Sequence, residues 1–168
     1  MSVKRLTLLS LFTTISLAVF AIESAIPPLI PIPGIKLGLA NIVTLVLLRH
    51  FSRKDALAVL SARILLSTLL FGQALSLMYS AMGGLCSLLV MAAAVKALRK
   101  KYAVLVGAVG GLTHNMGQLL AALLITSVPG VLAYTPYLVL SGILAGLFTG
   151  LCACLLDKYL IPHLPFLI

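Results

Sequence analysis

Charge is what this sequence has least of. Of 168 residues only 9% are charged, and just three of those are acidic. So few ionisable groups cannot cover the surface of a water-soluble domain, and the mean hydropathy of +1.23 agrees. The scarcity of acid also bears on chemistry. Diphosphate held by Mg²⁺ needs clustered hard oxygen ligands, and Glu23, Asp55 and Asp157 are far apart in the chain. Cysteine is scarce too. Cys86, Cys152 and Cys154 lie in apolar stretches without CxxC spacing, so they read as small buried apolar residues and no metal site is expected.

The cations that are present are grouped. Lys4/Arg5, Arg49/Arg53/Lys54, Lys96/Arg99/Lys100/Lys101 and Lys158 are separated by mostly apolar stretches over residues 6–48, 55–95 and 102–157. A helix crosses a bilayer in about 20 apolar residues, so each stretch accommodates one out-and-back pair. Lys- and Arg-rich loops stay cytoplasmic. The pattern predicts an all-α integral membrane protein of six transmembrane helices in one domain, 1–168, in the plasma membrane with both termini inside. The net charge of +9 is then explained by the flanks of the spans and needs no nucleic-acid partner. Lys4-Arg5, the apolar run after it and Ala21-Ile22-Glu23-Ser24-Ala25 have the composition of a signal peptide. Removing that segment would leave five crossings and one terminus outside, so it is read as the first span.

The spans are predicted over Leu6–Ile26, Leu37–Leu48, Ala56–Phe71, Ala74–Val95, Ala103–Ser127 and Tyr137–Leu156. Between the first two, Pro27, Pro28, Pro31, Pro33 and Gly34 forbid helix, yet the segment is apolar. Irregular apolar backbone at membrane level must pack on protein or line a cavity, which makes 27–36 a cap over the outer mouth. Gly72-Gln73 forms a tight outer turn, and Val128 to Pro136 an uncharged outer loop. Gly142, Gly146 and Gly150, with Ala145, Thr149 and Ala153 beside them, form a strip that lets helix backbones approach. No internal repeat is visible.

Polar residues inside the spans are costly to keep there and are usually functional. Gly111, His114, Asn115 and Gln118 share one helix face. That stripe either holds a ligand or hydrogen-bonds neighbouring helices. Arg63 lies eight residues into the third span, with Ser67 one turn above. An Arg cannot discharge itself, and Glu23 is the acidic residue at a comparable depth, so a structural Glu23–Arg63 pair competes with a ligand. Lys36, Asn41 and Gln73 complete the set. Glu23, Lys36, Asn41, Arg63, Gln73, His114, Asn115 and Gln118 are therefore expected around a pocket that opens outward beneath the cap. Lys36 and Arg63 against Glu23 leave one excess positive charge, which points to an anionic or zwitterionic ligand. Tyr79, Tyr134 and Tyr137 are aromatic wall residues or members of an interfacial belt.

Several of these runs carry a resemblance. Glu23-Ser24-Ala25-Ile26-Pro27-Pro28, Pro33-Gly34-Ile35-Lys36-Leu37-Gly38-Leu39-Ala40-Asn41-Ile42, Gly72, Tyr79-Ser80, Gly83-Gly84 and His114-Asn115-Met116-Gly117-Gln118 resemble the substrate-binding S components of energy-coupling factor (ECF) transporters. They resemble most closely the Gx transporters, which are also labelled heptaprenyl diphosphate synthase component I. The resemblance implies a six-helix binder of a small molecule, gated by its outer loop, whose uptake is driven by a separate module of one membrane subunit and two ATPases. It further implies docking through a small-xxx-small strip on the first helix, which here is Ser10, Thr14 and Ala18. No GxxxxGK[ST] loop is present, so ATP would be bound by the partner. Too few carboxylates for two aspartate-rich motifs exclude the catalytic synthase subunit. The chain is expected to be no enzyme and to hold no cofactor. A non-catalytic membrane scaffold of a redox or isoprenoid-linked assembly is the alternative.

Overall fold

The computed structural model describes residues 3–25, 36–71, 74–98 and 102–159. They form α1 (Val3–Ala25), α2 (Asn41–His50), α3 (Arg53–Phe71), α4 (Ala74–Ala97), α5 (Ala103–Thr126) and α6 (Thr135–Tyr159), and a 3-10 turn over Pro129–Tyr134 leads into α6. There is no strand among the described residues. Among the described residues four helical stretches are long and apolar enough to cross a membrane: α1, α4, α5, and the 3-10 turn together with α6. The cap over 27–35, the Gly72-Gln73 turn and most of the basic loop after α4 lie outside the described residues.

Packing is set by glycine. A Cβ on Gly111 would stand 2.2 Å from Gly142 O, and one on Gly146 would stand 2.3 Å from Gly107 O. Helices α5 and α6 therefore meet backbone to backbone, as the Gly142/Gly146/Gly150 strip predicts. The opposite side of α5 approaches α4 by the same means, since a Cβ on Gly117 would lie 2.8 Å from Met82 O. This places α5 between α4 and α6.

Helix α2 is short and central. Its ten residues rise only about 15 Å, half of the ~30 Å hydrocarbon layer. Leu45 and Leu47 are fully buried in an apolar cluster that also takes in Leu60, Met91 and Val106. The sequence predicts its start at Leu37, but the helix begins at Asn41. Gly38 is the reason: its φ of +84° is left-handed and incompatible with a right-handed helix. Residues 36–40 form a turn instead. Two other ends shift outward. Helix α3 starts at Arg53 rather than Ala56, because Ser52 and Asp55 cap it reciprocally (Asp55 N to Ser52 Oγ 3.2 Å, Ser52 N to Asp55 Oδ2 3.1 Å). The loop before α6 is tightened into the 3-10 turn.

Beside that apolar cluster several polar side chains are buried as well, and many large apolar ones are exposed. Glu23, Asn41, Arg63, His114, Asn115 and Gln118 are buried, while Leu69, Leu89, Leu124 and Leu140 are exposed. Lipid-facing helices expose apolar side chains in this way. The end of the bundle opposite Glu23 is closed by ion pairs. Arg5 on α1 grips Asp55 on α3 at 2.8 Å. Arg49 and His50 at the end of α2 hold Asp157 on α6 at 2.5 and 2.7 Å.

Candidate functional site

The site is built on the turn that replaces the first part of the predicted second helix. Glu23, near the end of α1, accepts hydrogen bonds from Gly38 N (2.6 Å) and Leu39 N (3.1 Å). These amides would otherwise be unpaired beside the N-terminus of α2, where an anion is also favoured by the helix dipole. From the other side, Gln118 of α5 brackets the backbone of Lys36: its amide nitrogen donates to Lys36 O (2.8 Å) and its oxygen accepts from Lys36 N (3.2 Å). The same oxygen accepts from His114 Nε2 (3.3 Å). The His114 ring is clasped between two glycines, since a Cβ on Gly38 would lie 2.6 Å from His114 Cδ2 and one on Gly83 would lie 3.0 Å from His114 Cε1.

Two cations flank one aromatic ring. The Lys36 ammonium lies 3.4 Å from the Phe20 ring centroid and donates to Ser24 Oγ. The Arg63 guanidinium carbon is 5.7 Å from the same centroid. Lys36 is only partly exposed.

Arg63 is the anomaly. It is 4% exposed, yet among the described residues no carboxylate lies within ion-pair distance of it, and its Nη2 has no hydrogen-bond partner. The competing structural reading, a Glu23–Arg63 ion pair, is not formed within contact distance: the Glu23 oxygens accept from backbone amides, and the two charges attract each other only at longer range. Asn41 Nδ2 and His114 Nδ1 are likewise buried without a partner. Buried polar groups are nearly always satisfied, so three without a partner among the described residues of one network stand out.

Of the predicted site residues, the structure joins Glu23, Lys36, Asn41, Arg63, His114 and Gln118 into this network. Asn115 is placed elsewhere. Its Nδ2 donates to Leu138 O (2.9 Å) and Ser141 Oγ (3.1 Å) on α6. Consecutive helical residues point about 100° apart, so Asn115 turns to α6 while His114 and Gln118 face residues 36–38. Gln73 lies outside the described residues. Sequence reasoning missed Phe20 and Ser24. The available signal was their spacing: Phe20 precedes Glu23 by three positions and Ser24 by four, on the same face of α1.

The model of the family described as heptaprenyl diphosphate synthase component I matches residues 12–156. The chain belongs to that family. No curated protein and no solved structure gives a significant match. The family match spans α1 from Phe12 onward and nearly all of α6, so every residue of the network falls within it.

The network can hold an anion and orient it. Arg63 supplies the charge, and the unpaired Asn41 amide is a further donor. The three carboxylates are kept apart: Asp55 and Asp157 are committed to cations at the far end of the bundle, and Glu23 to the 38–39 turn.

Proposed function

We propose that this family member is a substrate-binding membrane subunit of the S-component kind. It captures a small anionic or zwitterionic molecule at the network of Glu23, Lys36, Asn41, Arg63, His114 and Gln118, and a separate ATPase module energises its uptake. The observation that carries the reading is Arg63, a buried charged group with no carboxylate within ion-pair distance among the described residues. A charge left unpaired inside a protein is strongly unfavourable, and a bound anion removes that cost. Gln73 and the 27–35 cap complete the site from outside in this proposal, and Asn115 supports it by fixing α5 against α6.

The proposal extends to topology and partners. Helices α2 and α3 cross with the other four, α2 sharing its half of the membrane with the 36–40 turn, and both termini are cytoplasmic in the plasma membrane. Ser10, Thr14 and Ala18 are exposed on α1, which supports docking of an ECF-type membrane subunit and its ATPases on that face. With its carboxylates dispersed, the chain performs no catalysis itself.

A second reading draws on the family description, which names a component of a synthase: a non-catalytic membrane scaffold in a redox or isoprenoid-linked assembly. Native mass spectrometry of protein purified from its own membranes separates the two. A co-purifying small anion that is absent from Arg63→Met supports the binder. A bundle free of ligand that retains a synthase subunit supports the scaffold.

A further inference from the structure

The end of the bundle opposite Glu23 carries more cations than carboxylate side chains. Only three residues of the chain are acidic, and each is already engaged. Glu23 accepts from the 38–39 amides, Asp55 holds Arg5, and Asp157 holds Arg49 and His50. Arg53 and Lys96 are exposed at this end, and among the described residues neither has a carboxylate within ion-pair distance. The fold nevertheless brings them together. Arg53, the first residue of α3, donates from Nη2 to Ala92 O of α4 at 3.4 Å. Lys96 follows Ala92 by four positions, one turn further along the same face of α4. Two like charges held so close repel each other, and an anion between them reverses the sign of that interaction.

Beside the cations the surface turns apolar. Leu57 lies one turn from Arg53 on α3, and Leu89 and Leu85 continue the Lys96 face of α4. All three are exposed. The seam behind them is tight, since a Cβ on Gly84 would lie 2.9 Å from Leu60 Cδ1, so the two helices present an outer surface and not a cavity. Two cations at the end of an exposed apolar strip match a molecule with an anionic head and hydrocarbon tails. We infer that the α3–α4 seam binds an anionic glycerophospholipid of the surrounding bilayer. Its phosphate sits between the Arg53 guanidinium and the Lys96 ammonium, and its acyl chains lie along Leu57, Leu89 and Leu85. The guanidinium fork matches the phosphate oxygens and the ammonium adds a point charge. Phosphatidylcholine fits less well, because its own quaternary ammonium already balances its phosphate. The site is separate from the Arg63 network and does not rest on it.

The chain has no tryptophan, so a single introduced indole reports on the lipid beside it. Leu89→Trp places one seven residues before Lys96 on α4. Leu151→Trp places one seven residues before Lys158 on α6, where the neighbouring Arg49 is held by Asp157. Both positions are exposed. The full chain is reconstituted in vesicles of phosphatidylcholine and phosphatidylglycerol, with one or the other brominated at mid-chain, and quenching gives the relative affinity. At Leu89→Trp phosphatidylglycerol should be preferred about thirtyfold, since each cation near an anionic surface contributes about fivefold. Arg53→Gln or Lys96→Gln in that background should leave about fivefold, and the two together should leave near parity. Leu151→Trp should show about fivefold or less, and the same reading in the Arg53→Gln/Lys96→Gln chain, with unchanged gel filtration, shows that the fold is kept. A preference equal at the two positions, or one that survives both substitutions, is diffuse attraction to the basic rim and overturns the site. Equal quenching by the two lipids at Leu89→Trp also overturns it, and leaves the cations to an acidic protein partner.

Discussion

The Glu23 carboxylate ends 2.6 Å from the amide of Gly38, so the acid nearest the buried Arg63 belongs to a backbone turn. The two groups attract each other only at longer range, so substitutions can separate the hydrogen bonds of one from the charge of the other. Glu23→Gln keeps one acceptor oxygen and turns an N–H toward an amide donor, so it should destabilise by about 1.5–3 kcal/mol, the range for a hydrogen bond to a charged group. Arg63→Met removes an unpaired buried charge and should leave the ligand-free protein equally stable or more so. Thermal melts of both single variants and the double variant in detergent measure this. A large favourable coupling between the two positions would mean that they pair after all.

Gly38 is irreplaceable for two reasons that can be separated. Its φ of +84° strains any other residue, and a Cβ there would press on His114 Cδ2 at 2.6 Å. Gly38→Ala should cost about 1–3 kcal/mol from backbone strain alone, plus the clash. His114→Ala in the same chain should recover the clash and leave the strain. Chemical or thermal unfolding of the two variants reads the difference.

The α5–α6 contact should tolerate no side chain. Gly111→Ala would place a methyl 2.2 Å from a backbone oxygen, whereas Gly130→Ala meets nothing nearer than 3.6 Å. Gly111→Ala is therefore expected to fail as a monodisperse species in gel filtration. Gly130→Ala should elute like the parent.

Topology and docking are tested from the two faces. Single cysteines at positions 32 and 131 should react with an impermeant reagent from outside, and those at 52 and 99 should not. Labelling of position 99 from outside would defeat the six-crossing arrangement. Thr14 is exposed, with its hydroxyl turned back to Ser10 O at 3.0 Å. Thr14→Trp should abolish co-purification of an ATPase module and leave ligand binding intact.

The sequence alone determined the helical class, the approximate extents of the helices and the identity of the polar residues. Those features are local: hydropathy over a span, charge at its flanks, and spacing along one helix face all act within a few turns. The glycine strip of α6 could also be read, because close backbone approach requires small residues whichever helix arrives. Which groups satisfy one another was decided only by tertiary structure. Glu23 and Arg63 looked like partners because opposite charges at similar depth attract. Backbone amides of the 38–39 turn took the acid instead, since a buried N–H without an acceptor is costly and the left-handed Gly38 delivers two of them to the same carboxylate. Asn115 and His114 are neighbours in sequence, yet the helical twist sends one to α6 and the other to Gln118 and the Gly38 turn. The position of Arg63 is a property of the whole packing around it, because only the placement of the nearby acceptors reveals that none among the described residues reaches its Nη2.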